Sequence, residues 1–117
     1  EQMFVNADAC RIVNAAKDKG NKVCAIGTTV MRTIETAVGT DGRLKEYEGW
    51  TNKFIFPPYE FSVANAMVSN FHMPLSTMLM LVCAYGGYEL IMEAYNVALK
   101  EDYRFGTYGD AMLILDK

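Results

Sequence analysis

Three short polar stretches hold the side chains best suited to small-molecule chemistry. In GTTVMRTIE (residues 27–35) a glycine permits close backbone approach. Thr28 and Thr29 place two hydroxyls, with the free amides of a helix start, where an anionic group could bind. Arg32 follows three residues after Thr29, on nearly the same helical face, and its planar fork suits a carboxylate or phosphate. Glu35, another three residues on, could orient Arg32. The competing reading is a threonine N-cap followed by an Arg32–Glu35 surface ion pair. The spacing G-x-x-x-x-G-K-[ST] is absent, so this is not a phosphate loop of that kind.

The second stretch, NFHMPLST (residues 70–77), contains the single histidine of the chain. His72 could carry a proton near neutral pH, flanked by the Asn70 amide and the Ser76 and Thr77 hydroxyls. Alternatively Pro74 ends an extended segment, Ser76 caps a helix, and His72 bonds to backbone. No histidine or cysteine neighbours His72 at ligand spacing, so no metal is expected there. The third stretch, YRFGTYGDAM (residues 103–112), brackets Tyr103, Phe105 and Tyr108 between Arg104 and Asp110. It reads either as a stacking surface for a base with polar handles, or as a helix-to-strand corner with its aromatics in the core.

Alternating helices and strands must position these residues. Residues 5–19 place Ala9, Ile12, Val13 and Ala16 at helical spacing, with Asp8 near the start and Gly20-Asn21 as the stop. KVCAIG (22–27) predicts a short buried strand, and the segment after it predicts a helix through Val30, Ile34 and Val38. Residues 39–50 are turn-rich and charged and predict an exposed loop or hairpin tip. TNKFIF (51–56) predicts a strand stopped by Pro57-Pro58. Residues 66–69 predict another strand ending at Asn70, although 63–66 could be helical. Residues 76–84 predict a helix capped by Ser76 or Thr77 and closed by Gly86-Gly87, and 88–103 predict a further helix through Ile91 and Ala98. Residues 110–115 complete the pattern as a strand. The expected class is α/β, a small mixed sheet flanked by helices. Mixing follows from direction: Thr28 and Asn70 come after their strands and Asp110 before its own. The three stretches share an edge only if the last strand runs antiparallel to the other two.

Composition limits what such a chain can be. At 117 residues, 51% hydrophobic and 21% charged, it has the balance of one small globular unit. Its longest apolar run, residues 78–85, is far short of the roughly 20 residues that span a bilayer. The opening EQMFVNADAC shows no initiator methionine and no signal pattern, which suggests a piece of a longer protein. Cys10, Cys24 and Cys83 are odd in number and widely spaced, suiting a reduced, cytoplasmic setting. A net charge of −3 gives no global attraction to nucleic acid, so any such contact must be local.

Five blocks in order, AIGTTVMRTIE, TNKFIFPPYEF, SNFHMPLSTMLMLV, AYGGYE and YRFGTYGDAMLI, resemble the closing segments of the S-adenosylmethionine:tRNA ribosyltransferase-isomerase family of queuosine biosynthesis. The resemblance covers most of the chain. It implies residues 1–117 are the carboxy-terminal portion of a larger α/β domain, with the rest of that domain and an inserted β-barrel-like domain missing. The implied reaction moves the ribosyl unit of S-adenosylmethionine, isomerised to an epoxycyclopentanediol, onto 7-aminomethyl-7-deazaguanine in tRNA, releasing adenine and methionine. S-adenosylmethionine is then a ribosyl-donating substrate, and no metal or separate cofactor is implied. The implied partners are this tRNA and the remainder of the same enzyme chain, with no membrane, and the fragment alone should be inactive.

That reaction needs acid–base groups for a C5′ proton beside the sulfonium and for departing adenine, for which His72 and Asp110 are candidates. Arg32 with Thr28 and Thr29 suits the methionine carboxylate, with Glu35 behind Arg32. Asn70, Ser76, Thr77, Arg104 and Tyr108 are candidates for the ribose hydroxyls and the deazaguanine edge. The rival from another class is a non-catalytic α/β binding or interaction module whose polar stretches serve only as caps and ion pairs. A methyltransferase is disfavoured because no Gly-rich strand-to-helix loop with a downstream acidic residue is visible.

Overall fold

The structure, a computed structural model, describes residues 1–73 and 76–115. Pro74, expected to end an extended segment, lies outside the described residues. The chain runs β1 (Gln2–Val5), α1 (Ala7–Asp18), β2 (Cys24–Ile26), α2 (Thr28–Ala37), β3 (Tyr47–Trp50), β4 (Ala66–Asn70), α3 (Thr77–Gly86), α4 (Tyr88–Lys100) and β5 (Ala111–Leu115). β2, β4 and β5 form a sheet in that order. β2 lies parallel to β4, Ile26 opposite Val68, while β5 is antiparallel to β4, Asn70 opposite Ala111. The sheet is therefore mixed, and the ends of β2 and β4 share an edge with the start of β5.

Strand alternation decides which side of this sheet is covered. Ala25, Met67 and Ile114 face the helices and are buried with Met31 of α2, Leu81 and Val82 of α3, and Ile91 and Tyr95 of α4. Ile26, Leu113 and Leu115 point the other way and are exposed. Gly86 lets α3 and α4 close up: a Cβ there would sit 2.6 Å from the Ile91 side chain. Among the described residues no helix is long and apolar enough to cross a membrane.

The second sheet was not foreseen. β1 pairs antiparallel with β3, Gln2 opposite Trp50 and Val5 opposite Tyr47. Val5 thus belongs to a strand, and the helix begins beyond Asn6, whose side chain caps it by accepting the Ala9 N–H at 2.8 Å; Asp8 lies inside the first turn. Val5 joins Cys10, Ala37 and Leu44 in a satellite core under α1. The expected strand at 51–56 is displaced upstream. The β1–β3 register ends at Gln2 and Trp50, and beyond the Thr51 N–H to Glu1 carbonyl bond of 3.0 Å no ladder continues. Residues 39–46 are the turn predicted, while 47–50 are strand.

Candidate functional site

α2 starts at the end of β2 because Gly27, at φ 102°, turns the chain where a side chain would be strained. Gly27 N–H donates to the Val68 carbonyl at 2.8 Å, tying this turn to β4. Gly27 is also the N-cap, so neither threonine caps the helix by its side chain. α2 thus starts with no side-chain cap and no acidic residue of its own in the first turn, leaving its first amides open to an anion. Thr33 and Thr36 spend their hydroxyls on the Thr29 and Arg32 carbonyls, at 2.7 and 2.8 Å.

A cavity of about 240 Å³ opens beside that end, lined among others by Thr28, Thr29, Arg32, Lys53, Phe54 and Thr77. Thr77, from the first turn of α3, brings the second polar stretch to the first. Arg32 pairs with the Glu1 carboxylate, and its Nε is buried without a hydrogen-bond partner among the described residues. A buried guanidinium donor without a partner costs about 1–3 kcal/mol, a cost that an anionic ligand would relieve. The expected Arg32–Glu35 pairing does not form. Glu35, 4% exposed, is taken up instead by the 59–62 segment, accepting the Tyr59 hydroxyl at 3.2 Å and the Ser62 N–H at 3.1 and 3.3 Å. Burial, then the charge and hydrogen bond of Glu35, push the Tyr59 phenol up to about 12.

The second and third stretches meet each other at the same sheet edge. Asn70 Nδ2 donates to the Gly109 and Asp110 carbonyls at 3.4 and 3.3 Å, and Phe71 N–H donates to Asp110 at 3.3 Å. His72 is half-buried, its N–H donating to the Tyr95 hydroxyl at 2.9 Å and its Nε2 lying 3.0 Å from Ser69 Oγ. Ser69 Oγ also lies 2.9 Å from the Asn70 carbonyl; with its one proton given to that carbonyl, Nε2–H would donate to Oγ and the lone pair would sit on Nδ1. Burial lowers the His72 pKa below its ordinary value, favouring neutral imidazole.

Residues 103–110 form a corner. Asp110 accepts the Arg104 N–H at 2.7 Å and returns its own N–H to the Arg104 carbonyl at 2.8 Å. Gly109 passes so close that a Cβ would stand 2.4 Å from the Arg104 oxygen. Phe105 packs on Phe71 and Tyr95 at 5.3 and 5.6 Å, and Tyr103 meets Phe71 edge-on at 5.7 Å. Tyr108 is left fully exposed, so the three aromatics do not assemble into one stacking surface.

Of the expected site residues, Thr28, Thr29, Arg32 and Thr77 line one cavity. His72, Asn70, Arg104, Tyr108 and Asp110 are not among its lining residues. Ser76 caps α3, accepting the Leu79 N–H at 3.1 Å, and lines a separate apolar cavity of about 540 Å³ with Pro57, Leu79, Met80 and Met92. Among the described residues no group of three or more His, Cys, Asp or Glu is placed to hold a metal ion. Sequence reading missed Lys53, the cavity's other cation, 5.4 Å from the Tyr59 ring centroid. Its parity was the available signal, since Lys53 shares the inward side of an alternating segment with Ile55.

Comparison with known proteins agrees with this architecture. The chain is 83% identical, over all 117 residues, to an S-adenosylmethionine:tRNA ribosyltransferase-isomerase of Phocaeicola vulgatus, and 76% identical to one of Bacteroides fragilis. In each case it covers 33% of the relative, so it spans about a third of the length of these curated relatives. It superposes with a TM-score of 0.90 on a crystal structure of S-adenosylmethionine tRNA ribosyltransferase from Thermotoga maritima, at 46% identity, covering 96% of this chain and 39% of that one. Residues 1–114 match the family model described as "Queuosine biosynthesis protein", and the chain belongs to that family.

Proposed function

We propose that this chain supplies the donor-binding part of an enzyme that transfers the ribosyl unit of S-adenosylmethionine to 7-aminomethyl-7-deazaguanine in tRNA and isomerises it, giving epoxyqueuosine. The observation that carries the reading is Arg32, whose buried Nε has no hydrogen-bond partner among the described residues, in a cavity at the uncapped start of a helix. The methionyl carboxylate of the donor would take that N–H, displacing Glu1, with the amides and hydroxyls of Thr28 and Thr29 and the Lys53 ammonium around it. Thr77 reaches the same cavity and suits a ribose hydroxyl.

In this reading His72, neutral and with its lone pair on Nδ1, accepts the C5′ proton made acidic by the sulfonium. Asp110, paired with one backbone N–H, assists departing adenine from the other side of the edge. Asn70, Arg104 and Tyr108 are assigned to the acceptor base, Ser76 serves as the cap that sets the start of α3, and Glu35 anchors α2, and through it Arg32, one turn further along. The site is completed by the polypeptide that makes up the other two-thirds of the relatives' length, in the cytoplasm, and this chain alone is inactive. S-adenosylmethionine is consumed as substrate and no separate cofactor takes part.

The test uses an intact enzyme containing this sequence and donor labelled either in the ribose or in the S-methyl group. Ribose label should enter the RNA while methyl label leaves with methionine. Methyl label in the RNA would overturn the reading in favour of methyl transfer.

A further inference from the structure

We propose that Trp50, Phe54 and Phe56 form a stacking surface for unpaired bases of the tRNA anticodon loop at the border of the donor cavity, a proposal that rests on the tRNA reading above. From Tyr47 to Phe56 the exposure alternates residue by residue. Thr51, Lys53 and Ile55 turn inward, and Trp50, Phe54 and Phe56 turn outward at 73, 48 and 50% exposure. The Phe54 and Phe56 rings lie 5.5 Å apart, and Phe4, on the exposed side of β1 opposite Glu48, extends the aromatic face diagonally towards Trp50. No described strand pairs with residues 52–56, so Phe54 and Phe56 stand on an unpaired segment that continues from Trp50 at the end of β3.

Two observations select RNA bases as the occupant. The strip is continuous with the cavity, which Lys53, Phe54 and Ile55 line, so a base on Phe54 would sit beside the bound donor. Its composition also differs from that of the uncovered sheet face. Ile26, Leu113 and Leu115 there are aliphatic and suit the missing two-thirds of polypeptide, and the exposed Tyr88, Tyr103 and Tyr108 elsewhere are not set at alternate positions of one segment. Aromatic rings repeated along an extended segment present π faces, and base stacking on such faces tolerates any sequence. Glu48 beside the strip disfavours phosphate, so contact is through base faces.

Trp50 is the chain's single tryptophan, and stacking on it will quench its fluorescence. In the intact enzyme, with Trp50→Phe as the blank, an anticodon stem-loop RNA should quench the Trp50 signal. Trp50→Ala and Phe56→Ala should raise the Kd for this RNA about 10- to 100-fold, while Phe56→Tyr stays near wild type. Donor affinity should not change, because neither residue lines the cavity. Unquenched Trp50 on RNA binding overturns the proposal, and this readout needs no destabilised variant. Equal RNA affinity across variants overturns it too, as does a fall in Tm without a change in RNA affinity, which would assign the strip to protein packing. A wild-type enzyme that neither binds the RNA nor transfers ribose to it removes the tRNA reading itself, and the strip's role with it.

Discussion

The carboxylate of Glu35 accepts the backbone N–H of Ser62 through both oxygens, at 3.1 and 3.3 Å, across 27 residues of chain. The bond ties α2 to the irregular segment that leads into β4. Lys17 reinforces the same point from α1, its ammonium donating to the Ser62 carbonyl at 2.8 Å and to that of Gly42 at 2.8 Å. Arg32 projects from the same helix, one turn before this anchor.

Replacing Glu35 with Ala leaves the Ser62 amide and the half-buried Tyr59 hydroxyl without their buried carboxylate partner. Hydrogen bonds to a charged group contribute about 1.5–3 kcal/mol, and a loss of about 2–3 kcal/mol is expected, read as a lower denaturant midpoint of the intact enzyme. A midpoint unchanged from wild type would show that this clamp does not hold the fold.

Tyr59 offers a spectroscopic check on the same pair. Its phenol is held up to about 12, first by burial and then by Glu35. Titrated by phenolate absorbance, the transition lost in Tyr59→Phe should lie well above the ordinary value near 10. Glu35→Gln should move it part of the way down, since burial remains. A Tyr59 transition near 10 in the wild type would contradict the buried pairing.

Arg32 should separate from Glu35 in its readout. Arg32→Ala removes the fork while leaving Glu35 in place, so stability should hold and kcat/KM for the donor should drop about 10- to 100-fold, from about 1.5–3 kcal/mol of charge-assisted bonding. Arg32→Lys keeps the charge without the planar fork and should recover only part of the loss. Wild-type turnover in Arg32→Ala would remove the carboxylate role.

Much of this arrangement was legible because the signals were local. Ser76 or Thr77 before an apolar run was readable as the cap of α3, which Ser76 provides, and a shared edge for the three stretches called for the antiparallel β5 that is observed. What escaped was non-local. Glu35 lies one turn from Arg32, and nothing in the spacing reveals partners 24 and 27 residues away. β1 and β3 are four residues each and stabilise only as a pair, so neither had enough alternation to stand out. TNKFIF does alternate, but alternation reports burial of one side and not the presence of a partner strand.

The neutral state of His72 predicts a pH dependence whose direction is fixed by its burial. The folded-state pKa lies below the ordinary value of 6.5 that the unfolded chain should show. As pH falls through 6.5, the unfolded chain takes up a proton that the folded chain resists, so stability should decline below that point until the folded-state pKa is passed. Above pH 6.5 the effect is fully present and stability should be flat with respect to this residue. His72→Gln keeps a polar group beside Ser69 and removes the titration, so the wild-type-minus-variant difference in Tm should vary only on the acid side. A difference that grows on the alkaline side, or none at any pH, would show that the ring is not desolvated, and would weaken its assignment as a neutral base.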